Sequence, residues 1–169
     1  NTLPTPGDAF FEARSWKDLA DWKTELGPHY TTALRMLGAT TNPLETLPDR
    51  VFQKVARKIG RDAHYDRARV AVYFGAPGVT VQDPYFDGEG PDRTGCTQCG
   101  ACMIGCQHGA KNTLDKNYLY LAERKGLDVK TNSEVDVVSP LTDGGYVVEL
   151  LEGDRFFGRT RRQVRTRNV

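Results

Sequence analysis

Apolar residues recur at helical spacing in the first third of the chain. The tryptophans and leucines between Ser15 and Leu26 fall on one face, which predicts a helix that ends at the Gly27-Pro28 pair. A second helix is expected from Pro28 to Leu37, because proline favours a helix start and Gly38 a helix end. The stretch PDRVFQKVARKIG, residues 48–60, predicts a third helix that stops on glycine.

Glycine and proline become frequent between residues 61 and 95, where only ARVAVYF resembles a short strand and the rest predicts ordered loop. A further helix is expected from Asn112 or Thr113 to Lys125. Apolar residues then alternate with polar ones in VKTNSEVDVVSPL and GYVVELL, which predicts two strands joined by a hairpin turn at Asp143-Gly144. RFFGRTRR and QVRTRNV continue that pattern, so the order of elements predicts an α+β protein with its β-structure last.

Composition narrows the function classes. The chain has 169 residues, of which 38% are hydrophobic and 27% charged, and a net charge of +1. Those proportions are typical of a folded domain, and a net charge this close to zero gives no overall attraction to nucleic acid. No apolar run approaches a membrane span and no signal-peptide pattern opens the chain, so we expect a cytoplasmic protein. The terminal arginines alternate with Val164 and Thr166, which favours a solvated strand face over a nucleic-acid patch. They are Arg155, Arg159, Arg161, Arg162, Arg165 and Arg167.

All four cysteines lie within eleven residues, in the spacing C-x2-C-x2-C-x3-C. Bacterial ferredoxins use this run to hold iron–sulfur clusters, although Gln107 stands here where they have proline. Without a second motif, a three-iron cluster or a four-iron cubane would fit. Three alternatives stay open: no metal, a zinc ion, or a disulfide. His108 is a further candidate ligand. The predicted metal ligands are Cys96, Cys99, Cys102 and Cys106.

The residues after the cysteines predict an anion-binding segment. Gly109 lets a ligand approach the backbone, Lys111 supplies a positive charge, and Asn112 can cap the following helix. A helix N-terminus of this kind suits a phosphate or pyrophosphate. An ordinary amphipathic helix would show the same residues.

At this point the sequence resembles a known family. HGAKNTLDKNYLYLAERKGLDVKTNSEVDVVSPLTDGGYVVEL is similar to the middle of the glucose–methanol–choline flavoprotein oxidoreductases, with the cholesterol-oxidase-like branch as the best match. The upstream DPYFDGEGPDRTGCTQCGAC is also similar to members of that branch. The resemblance implies an FAD-binding, Rossmann-like α/β enzyme of which this chain is an internal fragment. Residues 1–95 would belong to the substrate side and residues 96–169 to part of the FAD-binding domain.

The resemblance also implies roles for residues. The segment with Gly109, Lys111 and Asn112 would lie along bound FAD, and Val135 would contact adenine through its backbone. The family's G-x-G-x-x-G fingerprint and its catalytic histidine have no counterpart in these residues, so we assign no catalytic residue and expect the chain alone to be inactive. We expect part of an enzyme that oxidises an alcohol, such as a sterol, and passes electrons through a cluster to an external acceptor. The alternatives are an iron–sulfur electron carrier and a zinc-stapled binding module, both without flavin.

Overall fold

The computed structural model describes residues 3–154 and 156–169. It is an α+β structure that divides into two compact units, Asn1–Gly126 and Leu127–Val169. The predicted α+β class is therefore confirmed. The predicted boundary after residue 95 falls inside the first unit, and the assignment of the two segments to substrate and flavin regions stays a prediction.

The first unit contains four helices and two small antiparallel sheets among its described residues. β1 pairs with β2, and β3 pairs with β4. Single 3-10 turns occupy residues 62–64, 101–103 and 114–116. In chain order the elements are α1 (Asp8–Phe11), α2 (Trp22–Met36), β1 (Ala39–Thr41), α3 (Leu47–Lys58), β2 (Arg69–Ala71), β3 (Thr80–Val81), β4 (Arg93–Thr94) and α4 (Tyr118–Glu123).

The prediction of a helix from Ser15 to Leu26 was wrong. The Asp21 side chain accepts a hydrogen bond from the backbone N–H of Thr24, which starts α2 at Trp22 and carries the helix through Pro28. The indole N–H of Trp16 donates to the Phe10 carbonyl and folds the preceding residues into turns. Trp16 therefore fixes a turn, and Trp22 is the first residue of α2. The helix predicted over residues 48–60 is confirmed as α3.

The helix expected after the cysteines begins later than predicted. Asn112 is buried and hydrogen-bonded through its side chain, so it does not cap a helix. Asn117 is fully buried, and its side chain accepts from the N–H of Tyr118, where α4 begins. The core of this unit is small, and its buried apolar residues are Phe11, Ala71, Val72, Phe86 and Ala110.

The second unit is a three-stranded antiparallel sheet in the order β5-β6-β7. Its strands are β5 (Ser133–Pro140), β6 (Tyr146–Glu152) and β7 (Thr160–Thr166). The turn predicted at Asp143-Gly144 joins β5 to β6, and Gly144 takes a left-handed φ of 93°. No helix in the described part of the chain is long and apolar enough to cross a membrane.

Candidate functional site

Residues 96–110 form a loop, called the cysteine loop below, whose two ends are joined by the backbone of Tyr73. The Tyr73 N–H donates to the Ala110 carbonyl at 2.8 Å, and the Tyr73 carbonyl accepts from the N–H of Cys96 at 3.0 Å. The next pair, Asn112 N–H to Ala71 carbonyl at 2.9 Å, extends β2 onto the segment after the loop. One residue of the strand extension therefore holds both ends of the loop that carries the thiols.

Inside the loop, all four cysteines line one cavity of about 20 Å³, together with His108 and Lys111. The Lys111 ammonium donates a 2.8 Å hydrogen bond to the Cys102 carbonyl and so lies against this cavity. The volume is room for about one water molecule. The loop therefore places its four cysteine residues and the Lys111 ammonium around a small space.

Backbone amides also surround two of the sulfurs. The Gln98 N–H donates to Cys96 Sγ at 3.4 Å. Partial burial raises the pKa of the Cys106 thiol, but hydrogen bonds from the N–H groups of residues 108–111 outweigh burial, and the net pKa is lowered. Negative charge on the Cys106 sulfur is therefore favoured.

The same thiols do not form a metal-ligand set as they stand. All four cysteines are free thiols. The described residues contain no group of three or more His, Cys, Asp or Glu side chains arranged to hold a metal ion. The assignment of the four cysteines as metal ligands stays a prediction.

The predicted flavin segment follows the loop directly. Gly109 has φ of 75°, in the left-handed region that favours glycine, and this turns the chain into the bridge between Val72 and Lys111. Lys111 is half-buried. The side chain of Asn112 is occupied within the protein, because its Oδ1 accepts from Arg93 and its Nδ2 donates to the Leu37 carbonyl at 3.2 Å. Asn112 therefore fixes the segment, while the Lys111 ammonium has N–H groups left to offer a ligand.

A buried arginine that sequence reasoning missed organises this segment. Arg93 is only 1% exposed, and its Nε donates to Asn112 Oδ1 at 2.7 Å. Its other nitrogens donate to the carbonyls of Pro91, Asp92 and Lys116. Burial lowers the pKa of Arg93, whereas Tyr85, whose ring centroid lies 5.8 Å from the guanidinium carbon, acts in the opposite direction. No sequence signal separates this arginine from the exposed ones.

A second missed feature is the carboxylate of Asp83, which organises the glycine-rich stretch before the cysteines. It accepts from the backbone N–H groups of Tyr85, Phe86, Gly88 and Gly90, at 2.8–3.1 Å. The spacing D-P-x-F-x-G-x-G is the only sequence signal for it. The predicted ordered loop is therefore held by one side chain.

Val135, the predicted adenine contact, lies in the second unit. It sits in β5 at a register shift between Val135 and Val137, and its side chain is 56% exposed. A β-bulge of this kind redirects the local backbone. Its predicted role stays a prediction.

The terminal arginines are largely paired with carboxylates across the sheet. Arg159 bonds to Glu134 at 2.6 Å, and Arg161 contacts both Glu149 and Asp136. Arg162 pairs with Glu152, while Arg155 lies outside the described residues. This pairing agrees with a solvated strand face.

Comparison with known proteins shows which proteins are homologous to this chain. The chain is 44% identical over its whole length to a cholesterol oxidase of Acinetobacter baumannii, and the match covers 32% of that protein. It is 45% identical over 96% of its length to cholesterol oxidases of two strains of Mycobacterium tuberculosis, with 29% of each covered. The chain is a homologue of the cholesterol-oxidase-like proteins. The resemblance found in its motifs is thereby confirmed, although no family model matches the chain.

This kinship concerns a segment. The chain spans about a third of the length of the curated cholesterol oxidases that it matches. The matched segment includes the cysteine loop, the Arg93–Asn112 pair and the three-stranded sheet, since the match to the Acinetobacter baumannii protein covers every residue of this chain.

Proposed function

We propose that this chain is part of an FAD-dependent oxidoreductase that oxidises an alcohol, with a sterol hydroxyl as the favoured substrate. The observation that carries the proposal is the 44–45% identity to cholesterol oxidases along nearly the whole chain. Rossmann-like FAD binding is part of the proposal, because the described residues form only small antiparallel sheets.

The segment after the cysteine loop fits a dinucleotide. There is open space beside the Gly109 Cα, since a Cβ added there would meet only Thr94 Oγ1, at 3.8 Å. Lys111 uses one N–H on the Cys102 carbonyl, and its ammonium has two more for phosphate oxygens. Arg93 and Asn112 hold this segment from the buried side. A negatively charged diphosphate is therefore the chemistry this segment is suited to bind.

Each residue has a defined part in that proposal. When bound, FAD accepts a hydride from the alcohol carbon. Lys111 balances phosphate charge, and Asn112 orients the segment without contacting the cofactor through its side chain. As the family resemblance implies, the backbone at Val135 would contact adenine. His29, His64 and His108 are given no proton-transfer role, so this chain supplies cofactor binding and no catalytic residue.

A segment exchange tests the proposal. The chain would replace the matched segment of the Acinetobacter baumannii cholesterol oxidase, and the purified chimaera would be examined for bound flavin absorbance and for oxidation of cholesterol. We expect one FAD per chimaera and measurable sterol oxidation, and neither from the isolated chain. Lys111→Met should weaken FAD retention about tenfold, whereas Lys130→Met, on the exposed approach to β5, should not. A folded chimaera without flavin would refute the proposal.

An iron–sulfur cluster at the cysteine loop is the second candidate. The observation that favours it is that Cys96, Cys99, Cys102 and Cys106 line one cavity edged by the Lys111 ammonium and by backbone amides. Amides and a cation of this kind stabilise sulfur ligands. Binding would have to draw the thiols closer, because no three of them form a ligand set as they stand. Electrons would then pass from flavin to an external acceptor.

Iron analysis after anaerobic expression separates the candidates. About three or four irons per chain, with a brown colour that Cys102→Ser removes, would support the cluster. One zinc per chain, with unfolding on chelation, would support the zinc-stapled module instead. If the protein contains neither iron nor zinc, the four thiols are ordinary loop residues, and the flavin proposal is unaffected.

A further inference from the structure

The helix α3 presents its apolar side to solvent. Phe52 is 70% exposed and Ile59, just after the helix, is 65% exposed. At 100° per residue, Val51, Phe52, Val55 and Ile59 fall within one continuous arc of the helix. No residue of α3 is buried. An apolar face whose four side chains are each about half exposed or more marks an interaction surface.

The polar side of the same helix is cationic or attached to the protein. Tyr65 donates from its hydroxyl to the Asp49 carbonyl, and Gln53 and Ala56 are half-buried. The remaining flank carries Arg50, Lys54, Arg57 and Lys58. Thus α3 is held along its polar edge, and its apolar face points outward.

The whole chain exposes more surface than a folded protein of its mass. Its accessible surface is 12,666 Å² for 18.8 kDa. The size relation for folded monomers gives about 8,300 Å² for one body of this mass, and about 9,800 Å² for two separate bodies of the sizes of its units. An excess near 2,900 Å² on one chain is several times the roughly 800 Å² that each partner buries in a standard protein–protein interface.

We infer that the apolar face of α3 docks against a further segment of a longer, cholesterol-oxidase-length polypeptide. The curated relatives are about three times as long as the matched segment, so they have ample chain to cover this face. The occupant is an apolar surface that receives Val51, Phe52, Val55 and Ile59. The cationic flank stays in water, where lysine and arginine need no partner. The inference rests on exposure and relative length and is independent of flavin binding.

Substitutions placed in two contexts test it. Phe52→Ser would be made in the isolated chain and in the chimaera with the Acinetobacter baumannii cholesterol oxidase, with Lys54→Ser as the matched control on the cationic flank. In the isolated chain both should change the melting temperature by less than about 1 °C, because both side chains are exposed. In the chimaera Phe52→Ser should lower it by about 4 °C or more, and Lys54→Ser should not.

Other results would overturn the inference. An equal loss in both contexts would show that Phe52 packs within these 169 residues. No loss in the folded chimaera would show that the longer polypeptide has no surface for α3. If Phe52→Ser instead abolished a concentration-dependent dimer, or binding to anionic vesicles, and left the chimaera's melting temperature unchanged, the occupant would be a second copy or a membrane. Flavin content is recorded separately, so loss of FAD alone bears only on the proposed function.

Discussion

The Nε of Arg93 donates a 2.7 Å hydrogen bond to Oδ1 of Asn112, across the base of the cysteine loop. Arg93 precedes the first cysteine and Asn112 follows the last, so this pair ties the two sides of the loop together through side chains. The same guanidinium reaches the Lys116 carbonyl. These acceptors are neutral, and the buried charge is also favoured by the ring of Tyr85 and by the carboxylates of Asp83 and Asp115.

The first prediction concerns Arg93. Arg93→Lys keeps the charge but removes the planar donor fork, so buried carbonyls lose their partners. We expect the free energy of unfolding to fall by about 2 kcal/mol or more, measured by urea denaturation. The control Arg57→Lys, on the exposed flank of α3, should cost less than about 0.5 kcal/mol. An equal loss of unfolding free energy for the two variants would mean that the hydrogen bonds of the Arg93 guanidinium do not stabilise the fold.

The second prediction is a pH dependence at Asp83. Partial burial raises its pKa, but hydrogen bonds from four backbone amides outweigh burial and lower it. A carboxyl whose folded pKa lies below its unfolded value, about 3.9, stabilises the fold fully above the unfolded pKa. That stabilisation is lost as the pH falls through the folded pKa.

Asp83→Asn should therefore destabilise the protein near neutral pH and flatten the decline in stability below about pH 4. Thermal unfolding from pH 2 to 7 measures both effects. Asp92→Asn is the matched control, because Asp92 is an exposed aspartate four residues before Cys96. Parallel curves for wild type and Asp83→Asn would contradict the assignment.

The third prediction concerns Gly95, next to the first cysteine. A Cβ at this position would lie 2.0 Å from the Ala76 carbonyl oxygen, and the Gly95 N–H bonds to the Val79 carbonyl. Gly95→Ala must therefore displace backbone, and we expect a loss of about 2–4 kcal/mol in urea unfolding. Gly7→Ala, where no atom lies within 4 Å, should be close to neutral. If Gly95→Ala were tolerated, the backbones of Gly95 and Ala76 would lie farther apart than in this structure.

The fourth prediction concerns the ion pairs of the second unit. Arg161 contacts Glu149 at 2.7 Å and Asp136 at 3.0 Å on an exposed sheet face. Arg161→Ala should cost about 0.5–1 kcal/mol at low salt, and less at 0.5 M NaCl, because exposed pairs are screened. Arg165→Ala on the same strand, which makes no ion pair within the described residues, is the control. A cost that does not change with salt would point to packing instead.

The sequence predicted those elements whose signals are local. The α3 helix has a capping box at Thr46 and an apolar arc, and the hairpin has Asp143-Gly144, so few residues decide each element. The first helix was wrong because Asp21 captures the Thr24 N–H and the Trp16 indole bonds to a backbone carbonyl. Both are side-chain contacts with the backbone that periodicity does not record.

The candidate site was predicted in part for the same reason. Spacing drew attention to the cysteines and to Lys111, and the structure places them around one cavity. Arg93 and Asp83 were missed because their partners are backbone atoms and an amide that only folding brings near. The role proposed for Asn112 also changes, since its side chain is consumed by Arg93 and the Leu37 carbonyl.

Because Tyr73 is hydrogen-bonded to both ends of the cysteine loop, the residues between those ends could change without altering its attachment to the fold. A single residue receives the incoming chain at Cys96 and the outgoing chain at Ala110, so both ends of the excursion are anchored to a strand outside it. Evolution could lengthen, shorten or strip the thiols from this turn, and Lys111 would still emerge at the same point of the fold.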